Sequence, residues 1–286
     1  MPEFIDGMFV VYKILALVLG AVFGSFSALL VHRLPRGESM VTPRSRCPAC
    51  LAPIRWTDNI PVISYLLLRG RCRECRATIS LRYPLIELSV AVLSLASLLL
   101  GVGRVPGALG PGGVFVSWFY PFVFCFLLVT ITFIDLEHMR IPHVLTATGM
   151  AFGLLFALVL GDVTGVSLLD AFLGLLAGVV PIVLIIEVWY RLLRREGMGY
   201  GDAMLMGMVG ATLGWVAIPF VLLAASLQGL LLSLPLLWKA RREAGGVRGL
   251  VVPFGPFIAL GALEWLFFSE VIRGVIGSAT SWTAGG

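Results

Sequence analysis

Gly199-Tyr200-Gly201-Asp202-Ala203-Met204-Leu205-Met206-Gly207-Met208-Val209 sets a carboxylate at the head of an apolar run. Gly197-Met198 precede it, so three glycines lead into the acid. A carboxylate at bilayer depth is costly and normally faces a cavity or a partner. A second acid stands in the mirror position: Thr132-Phe133-Ile134-Asp135-Leu136-Glu137 closes another long apolar run. Whether these runs are membrane helices decides the fold, and composition answers it. Of 286 residues 59% are hydrophobic and 13% charged. That is too apolar for a soluble domain and points to a polytopic membrane protein.

Apolar runs fall at 8–31, 85–101, 114–134, 144–160, 166–190, 203–214, 216–238 and 253–272. A helix needs about 20 residues to cross the hydrocarbon. All but 203–214 come near that length. This run reads either as a half-span over a cavity or as a span continuing through Gly214-Trp215. The expected fold is an all-α polytopic membrane protein with about eight transmembrane helices, carrying a small cytoplasmic zinc-binding domain between the first and second. The boundaries are 1–31 for the first helix, 32–84 for the inserted domain and 85–286 for the remaining membrane domain. The first seven residues hold Glu3 and Asp6 and no base, so the first run reads as a retained helix rather than a cleaved signal.

The bases give the orientation. Segments 32–82, 134–143, 191–202 and 239–252 hold eighteen of the twenty-one Lys and Arg, leaving Lys13, Arg104 and Arg273 elsewhere. The positive-inside rule places these four segments in the cytoplasm and both termini outside. Asp135 and Asp202 then stand at the cytoplasmic ends of their helices. Most arginines read as neighbours of lipid headgroups, and no nucleic-acid module is present.

The loop 32–82 repeats Arg-Cys-x-x-Cys-x-x-x-Ile at 46–54 and 71–79. Two such knuckles closing on one ion are a tetrahedral zinc pattern, with Cys47, Cys50, Cys72 and Cys75 as ligands. About 50 residues make too small a core to fold easily without such a staple. Disulfides are the competing reading, disfavoured in a reducing cytoplasm. Cys125, alone in an apolar run, reads as a packing residue.

Two carboxylates brought close share a proton. One then activates water as a base and the other assists as an acid, which peptide hydrolysis requires. Gly199 and Gly201 suit such a site by letting backbone approach a substrate strand closely. Structural readings compete: Asp202 as a helix N-cap, Asp135 as a headgroup or capping residue. The shared depth of the two acids favours function. Glu137, His138 and His143 read as solvated surface residues. Glu187, late in the fifth run, either pairs with an arginine or shapes the cavity.

The chain resembles the bacterial prepilin peptidases, membrane aspartic proteases of the GxGD class. The resemblance rests on Gly24-Ser25-Phe26 with His32-Arg33-Leu34-Pro35, both CxxC pairs, and Asn59-Ile60-Pro61-Val62-Ile63-Ser64-Tyr65. It continues through Arg82-Tyr83-Pro84-Leu85-Ile86-Glu87, Ile134-Asp135-Leu136-Glu137 with Ile141-Pro142, Gly199-Tyr200-Gly201-Asp202 and Pro253-Phe254-Gly255-Pro256. It implies that Asp135 and Asp202 are the catalytic aspartates. It also implies an enzyme of the bacterial inner membrane, cutting leaders from type IV prepilins and type II secretion pseudopilins at the cytoplasmic face. Members with the cysteine-bearing loop also methylate the new N-terminal amine with S-adenosylmethionine. In the segment that the resemblance associates with methylation, Ala28 replaces a common Asn and Ser27 is atypical; His143 replaces a common acid. No G-x-G-x-x-G loop locates the methyl donor. The alternatives are a peptidase whose zinc domain is purely structural, a proton-coupled transporter, and a zinc-stabilised scaffold. No matched pair of broken helices supports the transporter.

Overall fold

The computed structural model describes residues 2–42, 44–101, 111–194, 199–244 and 252–283. Gly197, Met198, Arg104, Arg195 and positions 245–251 of the fourth basic segment lie outside the described residues. The described chain is helical, with two isolated β-bridges and no strand. It divides into two compact units, Met1–His138 and Met139–Gly286.

The first unit contains α1 (Pro2–Arg33), the short α2 (Ile63–Leu67), α3 (Arg82–Gly101) and α4 (Pro111–His138). Helices α1, α3 and α4 pack on one another. The α1–α3 seam is close because Gly20 and Gly24 line it one turn apart. A Cβ on Gly20 would stand 2.6 Å from Ser94 Cβ, and one on Gly24 2.6 Å from Glu87 Cα. Small residues at this spacing let helix backbones approach within lipid. Polar links reinforce the seam: Ser94 Oγ donates to the Ala16 carbonyl at 2.7 Å, and Trp118 Nε1 donates to Ser94 Oγ at 3.1 Å. Ser27 lies 2.8 Å from Thr130 Oγ1. The Thr130 hydroxyl donates to the Phe126 carbonyl at 2.7 Å, so Ser27 is the donor of the pair. The atypical Ser27 is thus an α1–α4 clasp, and Ala28 beside it is buried.

The second unit contains α5 (His143–Thr164), α6 (Leu168–Leu193), α7 (Tyr200–Leu213), α8 (Ala217–Ala244) and α9 (Gly255–Thr283). Helix α7 is the hub, packed by α5, α6, α8 and α9. From Ala203 to Thr212 only Met204 is not fully buried. Glycines make this possible. Gly174 and Gly178 of α6 meet the α7 backbone at Gly210 and Met206, and a Cβ on Gly153 of α5 would stand 2.7 Å from the Ala211 carbonyl oxygen. Across α8 and α9, Gln228 Nε2 donates to Glu264 Oε1 at 2.8 Å.

Each apolar run is a helix, but the count of spans changes. Among the described residues seven helices are long and apolar enough to cross a membrane. The sixth run, 203–214, forms α7, which stops at Gly214, where φ is 80° and the helix cannot continue. Its 14 residues cover about 21 Å at 1.5 Å each, short of a hydrocarbon core of about 30 Å. The continuation through Gly214-Trp215 does not occur. The protein is a multi-pass membrane protein.

Candidate active site and metal centre

Asp135 lies in the last turn of α4, 5% exposed, one residue after the fully buried Ile134. Asp202 lies in the first turn of α7. The two aspartates belong to different compact units.

Asp202 is not the N-cap of α7; Gly199 is. Asp202 takes the third helical position and its Oδ2 accepts the Gly199 N–H at 3.3 Å, the half of a capping box that a carboxylate supplies. The two glycines differ in their reasons. A Cβ on Gly201 would stand 2.9 Å from Ile141 Cβ, so packing excludes a side chain there. A Cβ on Gly199 would make only ordinary contacts with the described residues, Asp202 Oδ2 at 3.7 Å and Gly201 N at 3.8 Å, so packing there does not exclude a side chain.

The start of α7 is fastened to the end of α6. Tyr200 Oη donates to Glu187 Oε1 at 2.6 Å, and Glu187 lies 3.9 Å from Arg191. The carboxylate raises the Tyr200 phenol above its ordinary value. Of the two readings of Glu187, the arginine pairing is present, but the shorter bond goes to a tyrosine that sequence reasoning did not single out. Its signal was its place within the glycine turn.

Glu137 is not the solvated surface residue expected. Its side chain is 19% exposed and bonded to Arg82 of α3 at 2.6 Å, with His138 Nε2 at 3.9 Å. Arg82-Tyr83-Pro84 and Asp135-Leu136-Glu137 therefore meet within the first unit. His143 is exposed, as expected, at the first position of α5.

The two knuckles are superimposable in hydrogen bonding. Leu51 N–H donates to the Cys47 carbonyl and Arg76 N–H to that of Cys72. Cys47 N–H donates to the Ala52 carbonyl and Cys72 N–H to that of Ala77. The bridges Arg46–Pro53 and Arg71–Thr78 close each loop. Leu51 and Arg76 adopt the left-handed conformation, at φ 59° and 60°. The four sulfurs lie within 4.8 Å of one another, and Cys47 and Cys75 are 3.8 Å apart. A tetrahedral zinc with Zn–S of about 2.3 Å sets its sulfurs about 3.8 Å apart. The four thiols are free and fit one such ion. The Cys50 N–H, aimed at the Cys47 sulfur, brings that thiol down to about 7, while, against a bond from the Ala52 N–H, burial and the three neighbouring thiols push Cys50 up to about 12, so the cluster shares its protons. Arg73 grips Asp58 through two bonds, at 2.8 and 2.6 Å, tying the second knuckle to the segment after the first. The Arg73 contact holds the Asp58 carboxyl below its ordinary value.

Fold and thiol cluster define a multi-pass membrane protein with a four-cysteine domain between its first two spanning helices. Known families narrow that class. Residues 18–100 match the Bacterial Peptidase A24 N-terminal domain, and residues 122–234 match the Type IV leader peptidase family. The chain is 36% identical over 290 residues to a prepilin leader peptidase/N-methyltransferase of Aeromonas hydrophila, covering 92% of this chain and 94% of that one. A protein of the same name from Burkholderia pseudomallei strain 1026b is 35% identical over 278 residues, covering 88% and 84%. One from Myxococcus xanthus is 38% identical over 245 residues, covering 85% and 67%. The chain belongs to the type IV leader peptidase family. No solved structure matches it.

Proposed function

We propose that this protein removes the leader of type IV prepilins and type II secretion pseudopilins, with Asp135 and Asp202 as its catalytic pair, and then methylates the exposed N-terminal amine. The observation that carries the pairing is the matching placement of the two acids. Each stands in a terminal turn of an apolar helix, Asp135 five residues before Arg140 in sequence and Asp202 after Arg191 and Arg194. Arginine-rich segments mark the cytoplasmic side, so both acids face the cytoplasm at the inner membrane surface.

A substrate with an apolar mature helix and a basic leader lies with its scissile bond at that surface. No charged leader then crosses lipid, where each base costs several kcal/mol by insertion scales of about 3. One aspartate, ionised, takes a proton from water; the other, protonated, polarises the peptide carbonyl and then serves the leaving amine. The extended strand passes beside Gly199, whose backbone lies against Asp202, while Gly201 lets the helix start seat against Ile141. Cys47, Cys50, Cys72 and Cys75 hold one structural zinc in a domain spanning 32–84, between the first helix at 1–31 and the peptidase domain at 85–286. S-adenosylmethionine supplies the methyl group for the second reaction.

The test is conversion of a purified prepilin by Asp135→Asn, Asp202→Asn and the double variant, with a labelled methyl donor and mass analysis of the product's N-terminus. Each single change should abolish cleavage. The double should be no worse, because members of one catalytic unit are non-additive. Methylation of a pre-cleaved pilin should survive. Substantial cleavage by either single variant refutes the pair.

A further inference from the structure

Helix α2 carries an apolar face that the described residues leave largely uncovered. Ile63, Leu66 and Leu67 stand three and four positions apart and share one side. They are 55%, 68% and 78% exposed. The other side is occupied. Ser64 Oγ donates to the Thr57 carbonyl at 2.8 Å and accepts the Ile60 N–H at 3.0 Å, and Tyr65 Oη reaches the Ile79 carbonyl at 3.4 Å. The short turn Trp56–Asn59 packs against α2 and presents Trp56, 81% exposed.

What covers this face follows from where α2 is held. Val62, immediately before α2, is the centre of a strained γ-turn, with φ 61° and a 2.6 Å bond from Ile63 N–H to the Pro61 carbonyl. Glu87 Oε2 accepts the Val62 N–H at 2.7 Å and holds it there. Glu87 is in the second turn of α3, a spanning helix, and its backbone lies against Gly24 of α1, also spanning. The start of α2 is therefore fastened at the depth of the second turn of α3 and of Gly24, in the last third of α1. At the same end, Leu85 and Leu88 of α3, with Leu81 just before it, form an exposed stripe whose part on the spanning helix faces lipid.

Charge agrees. Positions 32–82 hold ten arginines against Glu38, Asp58 and Glu74, and two of those acids are already paired, with Arg73 and Arg55. An anionic lipid surface suits such a domain, and a basic peptide does not. An exposed tryptophan beside an apolar helical face suits the boundary between headgroups and acyl chains.

We infer that α2 is a membrane-surface helix, which seats Ile63, Leu66, Leu67 and Trp56 in the anionic leaflet and lays the four-cysteine domain on the bilayer. Cleavage plays no part in this docking, so the test reads lipid adducts and not turnover. A benzophenone amino acid is placed at Leu67, at Leu88 as the lipid-facing reference and at Glu74 as the polar reference. Each full-length variant is reconstituted in vesicles of phosphatidylethanolamine and phosphatidylglycerol and irradiated, and its adducts are weighed. Position 67 should give phospholipid adducts at a yield comparable with 88 and several-fold above 74. Exchanging phosphatidylglycerol for phosphatidylcholine should lower the yield at 67 and leave 88 unchanged. Ile63 provides a second site should the Leu67 variant fail to fold. A yield at 67 or 63 no higher than at 74, with 88 labelled, overturns the docking. Protein–protein adducts at these positions overturn it too, since they give the face another occupant. An unchanged yield in phosphatidylcholine overturns the part assigned to charge.

Discussion

Gly153→Ala adds one methyl group to α5 where it crosses α7, and the geometry sets its cost. The new Cβ would stand 2.7 Å from the Ala211 carbonyl oxygen, 2.8 Å from its carbon and 3.0 Å from the Thr212 nitrogen. All three are backbone atoms inside a buried helix, so no side chain can swing away. An ordinary non-bonded contact is about 3.5 Å, so the two helices must part by about 0.8 Å. Overpacking of this kind costs about 1–3 kcal/mol, and a rigid backbone neighbour argues for the upper half. Alanine's better helix propensity returns up to about 1 kcal/mol, leaving a net loss of about 1–2 kcal/mol. The folded-to-unfolded ratio should fall about 5- to 30-fold. Gly274→Ala is the matched control: the same chemical change in α9, with nothing within 4 Å of the new atom. It should stay within about 0.5 kcal/mol of the parent. The assay is equilibrium unfolding of both purified variants in mixed micelles of increasing SDS fraction, followed by circular dichroism. If Gly153→Ala unfolds at the same SDS fraction as Gly274→Ala, α7 is not gripped by its neighbours as described.

Metal analysis should return close to one zinc per chain, and Cys72→Ser should lose most of it; a disulfide among the four thiols, or a metal-free folded domain, would sink that reading. Because Arg73 depresses the Asp58 carboxyl, the pair stabilises the domain above the ordinary carboxylate value, near ~4, and the benefit disappears as pH falls through the lower folded value. Asp58→Asn should accordingly be less stable than the parent at pH 7 and indistinguishable from it in strong acid, measured as urea midpoints of the loop domain's unfolding in the full-length protein; a difference that persists in acid would assign the effect to packing. Ser27→Ala should cost only about 0.5–1 kcal/mol in SDS unfolding, because Thr130 keeps its bond to Phe126 and interhelical hydrogen bonds in lipid average near 0.6; a loss above ~2 would show that Ser27 supports more than this clasp.

The sequence displays what composition and spacing encode. Every apolar run became a helix, because in lipid the backbone of such a run satisfies its own polar groups that way. Both CxxC repeats became matching knuckles, because ligand spacing is local. What stayed hidden depends on partners distant in the chain. The shortness of 203–214 left a half-span and a continuing span both open, and only the positive φ of Gly214 decides that α7 ends there. The glycines at 153, 174 and 178 look like ordinary membrane glycines until the facing backbone is known. Glu137 looked solvated because Arg82 lies 55 residues before it. Val62 carries no mark of its strained turn, since β-branched residues avoid positive φ and only the bond from Glu87 compensates.

The paired knuckles also bear on how the chain is made. Each contributes two of the four thiols, and the first closing bond at Cys47 precedes the last, from Ile79 N–H to the Gly70 carbonyl, by more than twenty residues of synthesis. A ribosome that has delivered only Cys47 and Cys50 has produced half a ligand set, which cannot complete a tetrahedral shell. Closure must wait until Cys75 and Ile79 emerge, when Arg82 and the first turns of α3 are the next residues to leave the ribosome. The segment that anchors α2 through Glu87 therefore follows all four thiols, so the ligand set of the proposed zinc is complete before α2 is anchored. A nascent chain starved of the ion would present its second hydrophobic helix to the insertion machinery with about fifty residues of unclosed, arginine-rich loop still trailing from the first.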